Sequence, residues 1–466
     1  MKLTFLGAAD CVTGSRHLLQ LEKTAKAGSK GERQRLLLDC GLFQGYKTLR
    51  ERNWSGLGVA PASLDAVLLS HAHLDHSGYI PALARQGFRG QVFSTGATRD
   101  LCEVLLLDSA KLQEEDARRA NRTGSSKHAT ALPLYTVADA KKALTHFVGL
   151  PRDGRLQLGE AQIRFTPVGH LLGASAISVT AQGRTLVYSG DIGRSNDPLM
   201  PAPQRLESAD VLLIESTYGN RLHAPEDVQA RLAQILRATF KRGGSVLLPS
   251  FAVGRAQALL LLLQRLREAG ELDQDVPIYL DSPMAELATQ LTIKHKKLLR
   301  ISASDAAGLC DGVHLVTKPA ESQRLATSMA GPRSKPAIVI SASGMATGGR
   351  VLNYLESMGP QARHHIAFPG FQVSGTRGAK LIDGAREVKL HGHYLSVNAE
   401  ISHLEGLSGH ADAEGLMAWL RGFKQAPSQV FVVHGEAAAS DALRSRIQDE
   451  LGWRVRVPQH GESVEL

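Results

Sequence analysis

The sequence predicts a layered α/β protein of two domains, and three observations predict it. Short apolar or β-branched runs alternate with helical patterns through the first half. Near Ser208 this gives way to a regular strand and helix alternation. The chain has 466 residues, roughly three times the commonest domain size, so one simple core is not expected.

Taken in order, residues 2–6, 35–39, 66–69 and 91–93 read as short strands bounded by glycine-containing turns. Residues 24–35 are polar and contain glycine between two apolar runs, which reads as an exposed hairpin loop. Thr98 is a candidate cap for a helix reaching about Ala120, with Leu101, Leu105, Leu106 and Leu112 among its apolar positions. Strands follow at 163–165, 176–179 and 185–188. Beyond Ser208 the reading is strand 211–214, helix 227–239, strand 245–248, helix 255–268, strand 276–280 and strand 337–340, the pattern of a mainly parallel sheet. A helix over 413–423 and a strand over 429–433 close the series.

Composition bounds the function. A hydrophobic fraction of 43% and a charged fraction of 21% exclude a disordered or collagen-like chain. Lys and Arg exceed Asp and Glu by 54 to 45, a net charge of +9, which favours an anionic partner without identifying it. Aromatic residues, at 5%, are too few for a surface dominated by base-stacking platforms. Cys11, Cys40, Cys102 and Cys310 show no dense spacing and read as buried free thiols of a reducing cytosol. No signal-like apolar core opens the chain, and the strongest apolar stretch, 258–263, is too short to cross a bilayer. A cytoplasmic protein with no membrane partner is expected.

The strongest local signal is HAHLDHSG, His71 to Gly78, directly after the apolar run AVLLS. Three imidazoles and a carboxylate within six residues are costly in a core, and they are suitable ligands for zinc and related divalent metals. A strand-end loop can converge such ligands in a crevice. Asp39 in LLLDCG, His170 in GHLLGA and Asp191 in SGDIG each follow an apolar run or precede a glycine turn.

This series resembles the HxHxDH signature and companion motifs of the metallo-β-lactamase fold superfamily. The second half is similar to the β-CASP group of RNA-processing nucleases, including the cleavage and polyadenylation endonuclease and its short bacterial and archaeal relatives. Glu215 in LLIESTYG, His410 in LSGHAD and His434 in VVHGE match that group's three extra motifs. The resemblance covers nearly the whole chain. It implies a metallo-β-lactamase αββα sandwich, residues 1–208, completed by 375–466, with an inserted β-CASP α/β domain over 209–374.

The resemblance also implies a ligand set. His71, His73 and His170 would hold one zinc; Asp75, His76 and His434 would hold the second, with Asp191 bridging and Asp39 orienting the site by hydrogen bonds. Manganese can compete for such mixed nitrogen and oxygen ligands. The implied activity is hydrolysis of single-stranded RNA by a hydroxide activated between the two metals. His410 would protonate the departing ribose oxygen, oriented and kept charged by Glu215. Internal cleavage is favoured; stepwise removal from the 5′ end stays open, as does a homodimer.

In the same frame Ser250 and Arg255 (LLPSFAVGRAQ) and Ser341, Ser343 and Gly344 (VISASGMATGGR) would line an RNA cleft between the domains, using strand-to-helix turns that suit phosphate. Ser408 and Gly409 would bind the scissile or the next phosphate. Tyr218 contacts a base or sugar, or equally braces the Glu215 turn. The basic segment 291–300 is a solvated helix face or an RNA-facing patch. His391 and His393 are discounted as ligands, and His364 and His365 read as surface or interface residues. Three readings compete: a non-catalytic RNA-binding scaffold, disfavoured because all seven assignable ligands are present; a DNA nuclease, disfavoured by His434 where that branch tends to carry an apolar residue; and a small-molecule hydrolase, disfavoured by the inserted domain and its motifs. The chain also ends about 30 residues after His434, so the long C-terminal domain of the larger bacterial exonuclease branch and the front-end RNA-binding modules of several archaeal relatives are not expected.

Overall fold

A computed structural model describes residues 1–22, 33–124, 129–332, 334–370, 372–373 and 375–466. Most of the anticipated 24–35 loop lies outside them, but residues 33–35 belong to a strand, Arg33–Leu38. The chain divides into two compact units: 1–196 with 201–222 and 410–466, and 197–200 with 223–409.

The first unit is a sandwich of two seven-stranded sheets. One runs in the order Ser463–Glu465, Lys2–Phe5, His17–Glu22, Arg33–Leu38, Ala66–Leu68, Gln91–Thr95, Phe147–Leu150. The other runs Val455–Arg456, Gln429–Val433, Val211–Glu215, Arg184–Tyr188, Ser175–Ala181, Ala161–Pro167, Arg155–Leu158. Alternate residues turn inward, as a pleated strand requires. Leu3, Phe5, Leu36, Leu38 and Leu68 of one sheet share a core with Phe165, Ile177, Leu186, Leu213 and Phe431 of the other. Burying each such side chain stabilises the fold by roughly 1.5–3 kcal/mol. Helices Gly96–Thr123 and Val137–Leu144 lie along the first sheet's side, and Ala437–Leu451 packs on the second.

This topology gathers the site. Arg33–Leu38 and Ala66–Leu68 are parallel, so Asp39 and His71 emerge at one end of the first sheet. Arg184–Tyr188, Val211–Glu215 and Gln429–Val433 are parallel in the second, so Asp191, Glu215 and His434 emerge together.

The second unit is built on a six-stranded sheet in which every pairing is parallel: Val313–Leu315, Ile278–Asp281, Ile338–Ser341, Val246–Pro249, His365–Pro369, Glu400–Leu404. Arg255–Glu268 is its most apolar helix, with the leucines 259–263 all buried.

Several expectations change. The strand Val211–Glu215 lies in the first unit's sheet, and residues 375–409 belong to the second unit, so the divisions differ from 209 and 374. An apolar parallel strand reads alike in either sheet, which is why pattern alone misplaces it. The long helix is capped by Thr95, whose hydroxyl accepts from the Thr98 amide; Thr98 is already inside the first turn. Leu112 is exposed, whereas His364 and His365 are buried. His364 Nδ1 accepts from the Ser245 amide at 2.9 Å, and His365 Nε2 meets Ser402 Oγ at 2.8 Å with its Nδ1 3.0 Å from Glu400 Oε2, so both are core histidines with local partners. All four cysteines are free; Cys11, Cys40 and Cys102 are buried, and Cys310 is half-buried. Among the described residues no helix is long and apolar enough to cross a membrane.

Candidate metal centre

The centre grows from short loops after strands. His73 precedes a single turn, Leu74–Ser77, which carries Asp75 and His76. That turn is pressed against residues 40–42: Cys40 N donates to His76 O at 2.7 Å and Leu42 N to Leu74 O at 2.8 Å. A Cβ at Gly41 would lie 1.6 Å from Asp75 O, so only glycine fits there. Asp39, His170 and His434 all have left-handed backbone, with φ of 58°, 58° and 51°. Non-glycine residues rarely adopt it, and such outliers cluster at functional sites.

Two groups of side chains result: His71, His73, His170 and Asp191, and Asp75, His76 and His434. In the first, His73 Nδ1 lies 3.1 Å from both His71 Nε2 and His170 Nε2. In the second, His76 Nε2 is 3.1 Å from His434 Nε2, which is 3.3 Å from Asp75 Oδ2. Asp191 reaches both. Its Oδ2 is 3.5 Å from His71 Nε2 and 3.6 Å from His170 Nε2, and its Oδ1 is 3.3 Å from His76 Nε2 and 3.5 Å from His434 Nδ1.

Asp39 fixes the tautomers behind this cluster. Its Oδ1 accepts from Ser70 N at 2.7 Å, and its Oδ2 accepts from Ser70 Oγ, Tyr188 Oη and His76 Nδ1, each at 2.7 Å. His76 therefore carries its proton on Nδ1 and turns Nε2 inward. Ser70 Oγ has given its hydrogen to Asp39, so it accepts from His71 Nδ1 at 3.1 Å, and His71 Nε2 also points inward as a lone pair.

Inward lone pairs at such distances repel unless a cation lies between them. Zinc–nitrogen bonds of about 2.0–2.1 Å put tetrahedral ligands roughly 3.4 Å apart, close to the spacing seen. Asp191 Oδ1 is buried without a hydrogen-bond partner among the described residues. The donor set thus fits two divalent ions sharing a carboxylate. Burial, with His76 adjacent, holds His71 well below the imidazole range, and burial brings His73 down to about 4. For His76 burial also opposes charge, but the Asp191 and Asp75 carboxylates outweigh it and raise the ring well above that range. This pull on a proton is the pull a metal ion would answer.

Beside the cluster, His410 Nδ1 lies 3.3 Å from Glu215 Oε1 and 3.9 Å from Asp191 Oδ2. Burial lowers its pKa, but Glu215 more than offsets this and the ring is raised above its ordinary value. Glu215 is fully buried and held by Ile192 N at 2.7 Å and Thr217 N at 3.1 Å. The His410 ring packs at 4.5 Å from His170 and 6.1 Å from Tyr218, and its side chain keeps 19% of its surface open. Tyr218 is itself buried, which fits the bracing alternative.

In the second unit, Ser250 and Ser341 stand side by side at strand ends, with Ser250 N donating to Ser341 O at 2.9 Å. Their hydroxyls turn to local carbonyls, Phe251 O at 3.1 Å and Asp281 O at 3.3 Å. Arg255 opens its helix, Ser343 bonds within its own loop at Gly348 O, 3.1 Å, and Gly344 O accepts from Gln372. Ser408 follows the short turn Glu405–Leu407, with Gly409 next to it at the unit's end. His393 is exposed and 3.6 Å from Glu356, outside every ligand group among the described residues, as is His391. Ser70, Tyr188, Ser15 and Thr217 were invisible to motif reasoning. Tyr188 reaches Asp39 across 149 residues, and no spacing carries that signal.

Fold and donor set together define a metal-dependent hydrolase of the β-lactamase superfamily. Comparisons narrow this. A β-lactamase superfamily domain matches residues 34–250, a β-CASP domain 256–381, and a Zn-dependent metallo-hydrolase RNA specificity domain 394–458. The chain is 35% identical to Ribonuclease TTHA0252 of Thermus thermophilus over all of both chains. It is 30% identical to the transcription termination factor FttA of Methanocaldococcus jannaschii, covering 100% of this chain and 72% of that one. FttA of Pyrococcus abyssi is 31% identical over 86% of this chain and 62% of its own. A crystal structure of a protein of unknown function from Enterococcus faecalis shares the fold at a TM-score of 0.55 and 15% identity, covering 100% of this chain and 99% of that one. The chain belongs to the metallo-β-lactamase/β-CASP ribonuclease family.

Proposed function

We propose that this protein is a zinc-dependent ribonuclease that cuts single-stranded RNA internally. The observation that carries the reading is the Glu215–His410 pair, a buried carboxylate bonded to a half-open imidazole beside seven converging metal ligands. Bound metal ions would activate water and offset charge developing on the phosphate oxygens. The chain's own residues supply the rest. Asp39 keeps His76 in the tautomer that presents Nε2. Glu215 takes the Nδ1 proton of His410 in a hydrogen bond and stabilises the imidazolium, which leaves Nε2 to give its proton to the departing ribose oxygen. An acid that protonates a leaving alkoxide suits phosphodiester cleavage.

Ser250, Arg255, Ser341, Ser343, Gly344, Ser408 and Gly409 are assigned to the RNA backbone. The parallel-sheet ends in the second unit support this, since backbone amides after strands suit phosphate. Full-length similarity to a protein named a ribonuclease supports RNA as substrate. The test is cleavage of internally labelled RNA, with free and blocked 5′ ends, by metal-analysed protein beside His76→Ala. Internal fragments from both substrates, absent with the variant, are expected. Mononucleotides released only from free 5′ ends would replace this reading with an exonuclease.

A further inference from the structure

We propose that the segment from Phe43 to Trp54 is a stacking platform for unpaired RNA bases outside the metal centre, an inference that rests on the ribonuclease reading. Tyr46 and Trp54 are 69% and 60% exposed. In a chain with only three tryptophans and 5% aromatic residues, two large rings given to solvent from one short segment call for a purpose.

The segment is a fixed stage. Asn53, buried, closes it at the base: its Oδ1 accepts from Phe43 N at 2.9 Å and its Nδ2 donates to Phe43 O at 2.8 Å. Arg16 locks that closure from inside the fold, 1% exposed, donating Nη2 to Asn53 Oδ1 at 3.1 Å and Nε to Gly41 O at 2.8 Å. Its guanidinium lies 4.0 Å from the Tyr79 ring centre and 4.9 Å from that of Phe43, and it pairs with no carboxylate among the described residues. A buried unpaired cation is costly, and here it holds a surface loop in place.

Between the clamped ends run a short helix, Lys47–Glu51, and a turn. Leu49 N and Arg50 N donate to Tyr46 O, Asn53 N to Arg50 O and Trp54 N to Glu51 O. Tyr46 stands just before this helix, Arg50 lies within it and Trp54 follows just past its end, so the two exposed rings flank a basic turn. Lys47 pairs with Glu51 at 3.5 Å and Arg52 with Asp10 at 3.4 Å, while Arg50 has no acidic partner among the described residues. Exposed rings alternating with cations match a strand of stacked bases joined by phosphates. A second copy of this chain fits less well, because the same positive segment would face itself on a molecule of net charge +9. The platform's root, residues 40–42, is the stretch bonded to the His73–Ser77 turn, so RNA gripped here is tethered to the loop that carries the metal ligands.

The experiment uses His76→Ala protein, expected to hold RNA without cutting it, measures affinity by the anisotropy of end-labelled oligouridylate, and follows tryptophan fluorescence in parallel. Tyr46→Ala and Trp54→Ala should each weaken binding about 5-fold or more, the usual effect of losing one stacked base. Trp54→Phe should retain affinity while losing most of the quenching, since Trp419 is buried and Trp453 is half-buried against Phe423. Both target side chains are exposed, so unchanged thermal midpoints are expected. Unchanged affinity and quenching in both alanine variants overturn the platform while leaving the ribonuclease reading intact. So does a dimer by ultracentrifugation that Trp54→Ala converts to monomer with RNA affinity unaltered. Failure of the parent protein to bind RNA at all removes the ribonuclease reading first.

Discussion

The loop ends of the two units make opposite use of polar atoms. At the sandwich edge, buried carboxylates and imidazoles face one another, held by partners far away in sequence, and one oxygen of Asp191 is left without a donor among the described residues. At the ends of the parallel sheet, Ser250, Ser341 and Ser343 satisfy themselves within their own loops or on the adjoining strand. The first region is incomplete without a cation. In the second the serine hydroxyls are bonded locally, and a ligand meets mainly backbone amides and an arginine. Substitutions should therefore act steeply in the first unit and gently in the second.

The largest effect is expected from Asp191→Asn, which removes the charge shared by both ligand groups: RNA cleavage should fall by about 10³-fold or more, with metal content by elemental analysis reduced. His410→Ala should lower the cleavage rate by about 10²- to 10⁴-fold while metal content stays at the parental level. A parental rate would remove the proton-donor role and erase the distinction between ligand and acid. Tyr188→Phe and Asp39→Asn act one layer further out, where loss of a supporting bond typically costs about 10- to 100-fold in metal affinity or activity; competition with a chelator measures it. The smallest effect belongs to the second unit. Arg255→Ala should weaken RNA binding and reduce the slope of log affinity against log salt by about one, without changing metal content. A loss in Arg255→Ala as steep as that in Asp191→Asn would collapse the comparison.

How far the sequence foretold this follows the same division. The candidate ligands stood out because HAHLDHSG packs four of them into six residues and the others sit in glycine-flanked turns after strands. The parallel sheet of the second unit was legible as alternating apolar runs. The supporting layer was not: Ser70 and Tyr188 look like ordinary strand-end residues until folding brings Asp39 to them. Nor were the unit divisions, because Val211–Glu215 is buried along its whole length and carries no face pattern to say which sheet it joins. His364 and His365 were misread for a related reason, as polar residues whose partners, Ser245 and Ser402, come from distant segments.

The left-handed backbone at Asp39, His170 and His434 has a consequence for how this chain can change. Each such conformation costs on the order of 1 kcal/mol or more for a residue with a side chain, and almost nothing for glycine. Selection for stability alone would therefore drift these three positions toward glycine or asparagine, and only selection for the reaction opposes that drift. A lineage freed from catalysis should erode first at these sites, gaining robustness as it falls silent. In a library screened for heat resistance without RNA, glycine at His170 or His434 should be enriched, whereas a library screened for cleavage should purge it.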